Sequence, residues 1–167
     1  MALIHLIYVS TASIECDDAE LDRMLESSVR HNTPQHVTGM LLYAGGNFMQ
    51  VLEGEDAAVD ETYSRIAKDP RHKGLIVIES EPIKKRDFDQ WNMGFRRLNR
   101  AEVDANPAFA PFFESGFDAK RIGAQPGMAM ELLMNFGLDQ RQSTPQFPQK
   151  LKDCNQSKAG DRGARER

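Results

Sequence analysis

The segment Thr38–Leu52, TGMLLYAGGNFMQVL, decides the fold of this chain. Two apolar runs flank a turn that contains two glycines, a pattern typical of a β-hairpin. Working outward from it, a buried strand is predicted over Leu3–Ser10 and a helix between Asp17 and Asn32. Beyond the hairpin we expect a helix capped by Asp56, a strand over Leu75–Ile78 and a fifth strand over Trp91–Leu98.

The order of these elements, β-α-β-β-α-β-β, predicts an α+β, ferredoxin-like sheet with two helices on one face. The opposite face then needs a cover of its own. Two later segments, Phe109–Phe117 and Met128–Phe136, have helical spacing and are predicted to be C-terminal helices that either cover this face or bind a partner. Beyond Leu138 apolar residues are scarce, which predicts disorder.

The charge of the chain excludes some classes of function. Its 167 residues carry a net charge of −4, but residues 138–167 hold seven Lys/Arg and four Asp/Glu, so the remainder is acidic. An acidic main domain disfavours nucleic-acid binding. The apolar runs are too short to cross a bilayer, no secretory signal is evident, and two distant cysteines indicate a reduced, cytoplasmic protein. Four scattered histidines without companion motifs predict no metal site.

Two polar side chains do not fit the otherwise apolar sheet. Period-two alternation places Tyr8 and Gln50 on the helix-covered face of central strands. Left unpaired there, each would cost about 1–3 kcal/mol. Either they pair only with each other as part of the core, or they bind a ligand that has hydrogen-bonding edges.

Further polar residues lie at the ends of the two helices. Asn32 ends the first helix, while Arg65, Asp69, Arg71 and His72 cluster around the end of the second. These residues are typical of ordinary helix termini, where cations suit the dipole. Alternatively they surround a cleft for a flat heteroaromatic ring that carries a phosphate-bearing chain.

Six segments occur in order within residues 1–98: Leu6-Ile7-Tyr8-Val9-Ser10, His31-Asn32, Thr38-Gly39-Met40-Leu41, Phe48–Gly54, Asp69-Pro70-Arg71-His72, and Arg86-Asp87-Phe88 followed by Trp91-Asn92-Met93. With this order and spacing the chain resembles BLUF domains, the blue-light sensors that use flavin, of the short stand-alone type. The resemblance implies a flavin-binding sensor domain over residues 1–98, a helical extension over 99–137 and a tail over 138–167.

The resemblance also implies the cofactor and its site. The cofactor would be FAD, with FMN or riboflavin also accepted. Tyr8 would donate an electron and a proton to the excited flavin, and Gln50 would bridge Tyr8 and the ring. Met93 and Trp91 would lie on the fifth strand next to Gln50 and be coupled to signalling. The remaining cofactor-binding candidates are His31, Asn32, Leu41, Phe48, Arg65, Ile66, Asp69, Arg71 and His72.

By the same resemblance the chain is expected to be a photoreceptor and not an enzyme, because no effector domain pattern follows the sensor. It would signal to a separate protein and form homo-oligomers. From charge and hydropathy, no nucleic acid is expected to bind the main domain and no membrane is expected as a partner, while the basic tail could touch an anionic partner. Two alternatives stay open: an acylphosphatase-like hydrolase with the same strand order, and a flavin-free docking module.

Overall fold

The computed structural model describes residues 2–105 and 127–139. Within them the elements are β1 Leu3–Ala12, α1 Asp18–Asn32, β2 Thr38–Ala44, β3 Asn47–Glu55, α2 Asp56–Ala67, β4 His72–Pro82, β5 Gly94–Arg97, α3 Arg100–Asp104 and α4 Met128–Asp139. The predicted α+β class and the order of the first seven elements are confirmed. None of the described helices has the length and apolarity to cross a membrane.

The sheet has five strands in the order β4-β1-β3-β2-β5. The first four are antiparallel to their neighbours, while β5 runs parallel to β2 at the edge. In this arrangement β1 and β2 lie on either side of β3, so α1 must cross the sheet to join them, and α2 does the same between β3 and β4. The result is the ferredoxin-like sheet, extended by one edge strand.

Glycines set the geometry of the central hairpin. Gly45 and Gly46 form its two-residue turn with φ of 57° and 80°, the left-handed region that glycine reaches without a steric cost. Within β2, a Cβ on Gly39 would lie 2.0 Å from the carbonyl oxygen of Val51. Only glycine allows that close approach, so Gly39 helps to hold β2 against β3.

Each face of the sheet is buried under its own apolar cluster. On one face Leu6 and Leu52 pack with Leu25 of α1 and Val59 of α2. On the other face Val9, Met49 and Val51 pack with residues of α4, including Leu133. The prediction that residues 128–136 cover this second face is therefore confirmed, whereas Phe109–Phe117 lies outside the described residues.

Several predicted boundaries were wrong. Asp17 does cap α1, accepting a bond from the Glu20 amide at 2.7 Å. Asp56, however, is the first residue of α2 rather than its cap, and its amide donates to the Ala2 carbonyl. Helix α4 continues through Gly137 to Asp139, so the first two residues of the predicted disordered tail are helical. The rest of that tail, residues 140–167, lies outside the described residues.

The fifth strand is shorter than predicted. It begins at Gly94, not at Trp91. The Trp91 amide donates to the Phe88 carbonyl at 3.2 Å. This bond closes a turn, which takes residues 88–91 out of the extended conformation that a strand requires. Strand β4, in contrast, is longer than the predicted Leu75–Ile78 and begins at His72.

Candidate functional site

A cleft of about 580 Å³, open mouth included, lies over the sheet face that α1 and α2 cover. Its walls include ten of the predicted site residues: Tyr8, His31, Asn32, Leu41, Gln50, Arg65, Ile66, Asp69, Arg71 and His72. The tertiary structure thus brings together side chains from β1, α1, β2, β3, α2 and β4.

The polar pair that stood out in the sequence lies side by side. Tyr8 and Gln50 are directly opposed partners on β1 and β3. The Tyr8 hydroxyl donates a hydrogen bond to Oε1 of Gln50, and Nε2 of Gln50 donates to the sulfur of Met93 at 3.0 Å. All three residues are buried. Both ends of the glutamine amide are therefore engaged within the protein itself.

Burial also determines the protonation of the tyrosine. Tyr8 has no solvent exposure, and its ring lies edge-on to that of Tyr63, with centroids 5.5 Å apart. Desolvation, followed by the nearby Tyr63 and Asp69, raises the pKa of the Tyr8 phenol far above its usual value. The residue is therefore a neutral hydrogen-bond donor at physiological pH.

Asn32 connects the cleft to the segment that precedes β5. It is the last residue of α1 and only 1% exposed. Its Nδ2 donates to the backbone carbonyl of Asn92 at 3.1 Å, and Arg65 donates to its Oδ1 at 3.4 Å. The predicted position at the end of the first helix is confirmed. His31 beside it is exposed and binds back to the Ser27 carbonyl at 2.7 Å.

The charged mouth of the cleft is organised by one ion pair. Arg71 donates to Asp69 through Nε at 3.0 Å and through Nη2 at 2.6 Å. Burial raises the pKa of the Asp69 carboxyl, but the hydrogen bonds from Arg71 outweigh it and hold that pKa below its usual value. Another Arg71 nitrogen lies 3.8 Å from Glu20, so its charge is shared between two carboxylates.

His72 is held as a neutral ring. Its Nδ1 lies 2.8 Å from the Ser10 hydroxyl, and its ring centroid lies 4.8 Å from that of Phe48. Desolvation lowers the pKa of His72 to about 4. The sequence placed His72 among the cations at the helix end, but it begins β4 and is uncharged at neutral pH.

Three predicted site residues do not line the cleft. Phe48 is fully buried and packs against His72 and Tyr43. Met93 precedes β5 rather than lying on it, although it does contact Gln50. Trp91 also precedes β5 and packs with the cluster on the other sheet face, near Phe88. The prediction that Trp91 lies next to Gln50 on the fifth strand is therefore wrong, because the turn at Phe88–Trp91 directs the indole to the opposite face.

Four residues of the cleft wall were missed. Met24, Ser27, Ser28 and Thr62 line it together with the predicted residues. Ser28 lies one helical turn after Met24, on a stripe of α1 that is otherwise apolar. A hydroxyl on such a stripe is the signal in the sequence that could have identified this wall.

One group of possible metal ligands matches no sequence motif and was not predicted. His5, Glu79 and Glu81 offer ligand atoms within 4.8 Å of one another, and His5 is 2.7 Å from Glu79. By strand alternation His5 faces away from the cleft, on the same side as Ile7 and Val9. The group is therefore separate from the site described above.

Comparison with known proteins identifies a family. The family model for BLUF, described as sensors of blue-light using FAD, matches residues 3–94. The photoactivated adenylate cyclase subunit beta of Euglena gracilis is 34% identical over 92 residues, which are 54% of this chain and 11% of that subunit. The chain thus spans about a tenth of the length of the cyclase subunits that it matches.

Two other relatives match over more of the chain. The blue light- and temperature-regulated antirepressor BluF of Escherichia coli is 28% identical over 142 residues, covering 85% of this chain and 34% of that protein. The dark-state structure of the BLUF protein BlrB superposes with a TM-score of 0.67 at 28% identity. That match covers 83% of this chain and 97% of BlrB.

Proposed function

The chain belongs to the BLUF family of flavin-dependent blue-light sensors, and from that premise we propose that the cleft between α1 and α2 binds flavin and that Tyr8 and Gln50 form its light-operated switch. The single observation that carries the proposal is the buried chain of hydrogen bonds from Tyr8 through Gln50 to Met93 at the base of this cleft. The family description specifies FAD. We propose FAD for this chain, with FMN or riboflavin as substitutes.

The side chains of the cleft fit such a ring. Leu41 and Ile66 provide apolar surface. Beyond its bonds to Asn92 and Arg65, the buried Asn32 keeps a second N–H and a second acceptor site for the polar edge of a heteroaromatic ring. Arg65 places positive charge at the mouth, where a phosphate-bearing chain would leave the cleft, while Arg71 lies there paired with Asp69. A flat ring with one polar edge and an anionic tail matches this distribution.

The residues at the base supply the switch. Flavin held in the cleft would supply the absorption of blue light and an acceptor for one electron and one proton, and Tyr8 would be the donor of both. The Tyr8 hydroxyl already donates to Gln50, so its proton has a defined first acceptor in Oε1. The amide of Gln50 has a donor end and an acceptor end, and exchanging them changes what it presents to Tyr8, to Met93 and to the cleft. The state can therefore change and revert without net chemistry.

The signal would leave through Met93. Residues 91–93 contact both sides of the sheet, since Met93 touches Gln50 and Trp91 packs in the cluster that includes Leu133 of α4. We propose that the altered contact at Met93 repacks this second face, and that a separate protein responds. In this proposal the chain senses light and associates with partners, itself included, and catalyses no turnover.

The experiment is a light-minus-dark absorption spectrum of the purified chain. We expect a yellow protein whose flavin absorption shifts reversibly to the red after blue light. Tyr8→Phe should bind flavin but show no shift. Tyr63→Phe is the matched control: it removes a neighbouring phenol that is only partly buried, and it should keep the shift.

A colourless protein that cannot be loaded with flavin would contradict the proposal. So would a Tyr8→Phe variant with an unaltered reversible shift.

A further inference from the structure

Glu53 is a fully buried acid at the far end of β3, on the face opposite the cleft. Its two oxygens accept separate backbone bonds, Oε1 from the Asp87 amide at 3.0 Å and Oε2 from the Phe88 amide at 2.9 Å. A carboxylate has two acceptor oxygens, whereas the neutral amide of the same shape has only one. A buried carboxylate is costly unless it is satisfied in this way.

A second contact holds the same segment. Arg86 donates through Nη1 to the backbone carbonyl of Glu53 and to the Thr38 hydroxyl, both at 3.0 Å. Thr38 is the β2 partner of Glu53 in the sheet register. Residues 86–88 are thus attached to β2 and β3 by four hydrogen bonds. We call this set of contacts the Glu53 clamp.

The clamp lies directly before the segment that reaches the switch. The Phe88 carbonyl accepts a hydrogen bond from the Trp91 amide, and the centroids of the two rings lie 6.3 Å apart. The Trp91 carbonyl accepts from Gly39 of β2 at 3.1 Å. Two residues later Met93 accepts the bond from Gln50. Glu53 and Gln50 lie three residues apart on β3. The same strand therefore carries the glutamine that contacts Met93 and the acid that holds the segment leading to Met93.

We propose that Glu53 is a positioning residue: its clamp on residues 86–88 holds Met93 against Gln50 and thereby sets how fast the light-induced state reverts. This inference rests on the proposed switch at Gln50. The intact clamp restricts Met93 to one position beside Nε2 of Gln50. This restriction stabilises the state in which Gln50 donates to the Met93 sulfur. Without the clamp, that arrangement loses part of its advantage and the light-induced state lasts longer.

The test uses the full chain with bound flavin and the variant Glu53→Gln. The glutamine side chain keeps one acceptor oxygen, but its NH₂ group then faces one of the two backbone N–H groups. We expect an unchanged size of the red shift, dark recovery slowed at least about threefold, and amide exchange at Asp87 and Phe88 faster by about tenfold. Trp91 is the single tryptophan of the chain, so its fluorescence reports the same segment, and we expect it to change in the dark state.

Two further variants keep the result interpretable. Glu55→Gln removes an exposed carboxylate from the same strand and should recover at the wild-type rate. Arg86→Gln weakens the clamp from the partly exposed side without altering the buried acid, so it decides the question if Glu53→Gln does not fold. It should slow recovery in the same direction.

The outcomes separate the two proposals. Faster amide exchange with recovery within twofold of wild type would show that the clamp is only structural and would overturn the positioning role. Slower recovery in Glu55→Gln, equal to that in Glu53→Gln, would also overturn it, because the effect would then follow charge rather than the clamp. A wild-type protein without any shift would contradict the proposed function itself, and this inference with it.

Discussion

The side-chain nitrogen of Gln50 lies 3.0 Å from the sulfur of Met93. A thioether is a weak acceptor, whereas the oxygen end of the same amide accepts from the Tyr8 hydroxyl. The two ends of Gln50 are therefore held unequally. The nitrogen end has the weaker acceptor, so we propose that the contact with Met93 is the one that changes in the switch.

Replacing Gln50 tests whether this amide is the switch. Gln50→Leu keeps the approximate volume of the side chain but removes its donor and acceptor, so we expect bound flavin without a reversible red shift. The light-minus-dark spectrum measures it. Gln90→Leu, which changes an exposed glutamine, should keep the shift. A normal shift in Gln50→Leu would rule out the amide as the switch.

Trp91 should be dispensable for the spectral change. Its indole packs on the sheet face away from the cleft, with the cluster that contains Phe88. We expect Trp91→Phe to lower the free energy of unfolding by about 1 kcal/mol, the usual cost of a modest loss of packing. The red shift should keep its size. If the shift disappears in a variant that still binds flavin, Trp91 must reach the switch in a way that the present packing does not predict.

The free energy of unfolding should fall in mild acid because His72 is buried as a neutral ring. Its pKa is lowered to about 4 by burial, against about 6.5 in an unfolded chain. Above pH 6.5 the ring is neutral in both states and adds no pH dependence. As the pH falls from 6.5 toward 4, only the unfolded chain takes up the proton, so stability falls by up to about 3 kcal/mol.

Denaturant unfolding between pH 7 and pH 4 measures this loss. His72→Gln should flatten the profile relative to wild type over that range. The matched control is His36→Asn, which removes an exposed histidine at a positive φ that asparagine tolerates, and it should leave the profile unaltered. Equal slopes for wild type and His72→Gln would contradict the prediction.

Helix α4 should contribute to stability as part of the sheet cover. Leu133 is fully buried against the second face, so Leu133→Ala should cost about 2–5 kcal/mol in free energy of unfolding. Glu131→Ala, an exposed change in the same helix, should cost little. Thermal or denaturant unfolding compares the two. Similar values for both would mean that α4 does not pack on the sheet in solution.

Local patterns predicted most of the fold because they depend on neighbouring residues. Alternation along β1 and β3 placed Tyr8 and Gln50 on one face, and the register brings them directly opposite each other. Asp17 was identified as a cap, and Asn32 as a helix terminus, from residue type and spacing alone. These assignments need only strand and helix periodicity.

The errors occurred where contacts between distant residues override such patterns. Trp91–Leu98 has the composition of a strand, yet its first residues form a turn closed by Phe88. His72 follows an arginine and an aspartate, but its environment comes from Ser10 and Phe48 on other strands. Periodicity contains no information about either partner.

The sequence by itself therefore determined the order of the elements, the two faces of the sheet and the polar pair on one of them. Only the tertiary structure decided the side on which Trp91 lies, the neutral state of His72 and the attachment of residues 86–88 to Glu53. The physical reason is that alternation and capping depend on adjacent residues, whereas burial and long-range hydrogen bonds depend on which strands become neighbours.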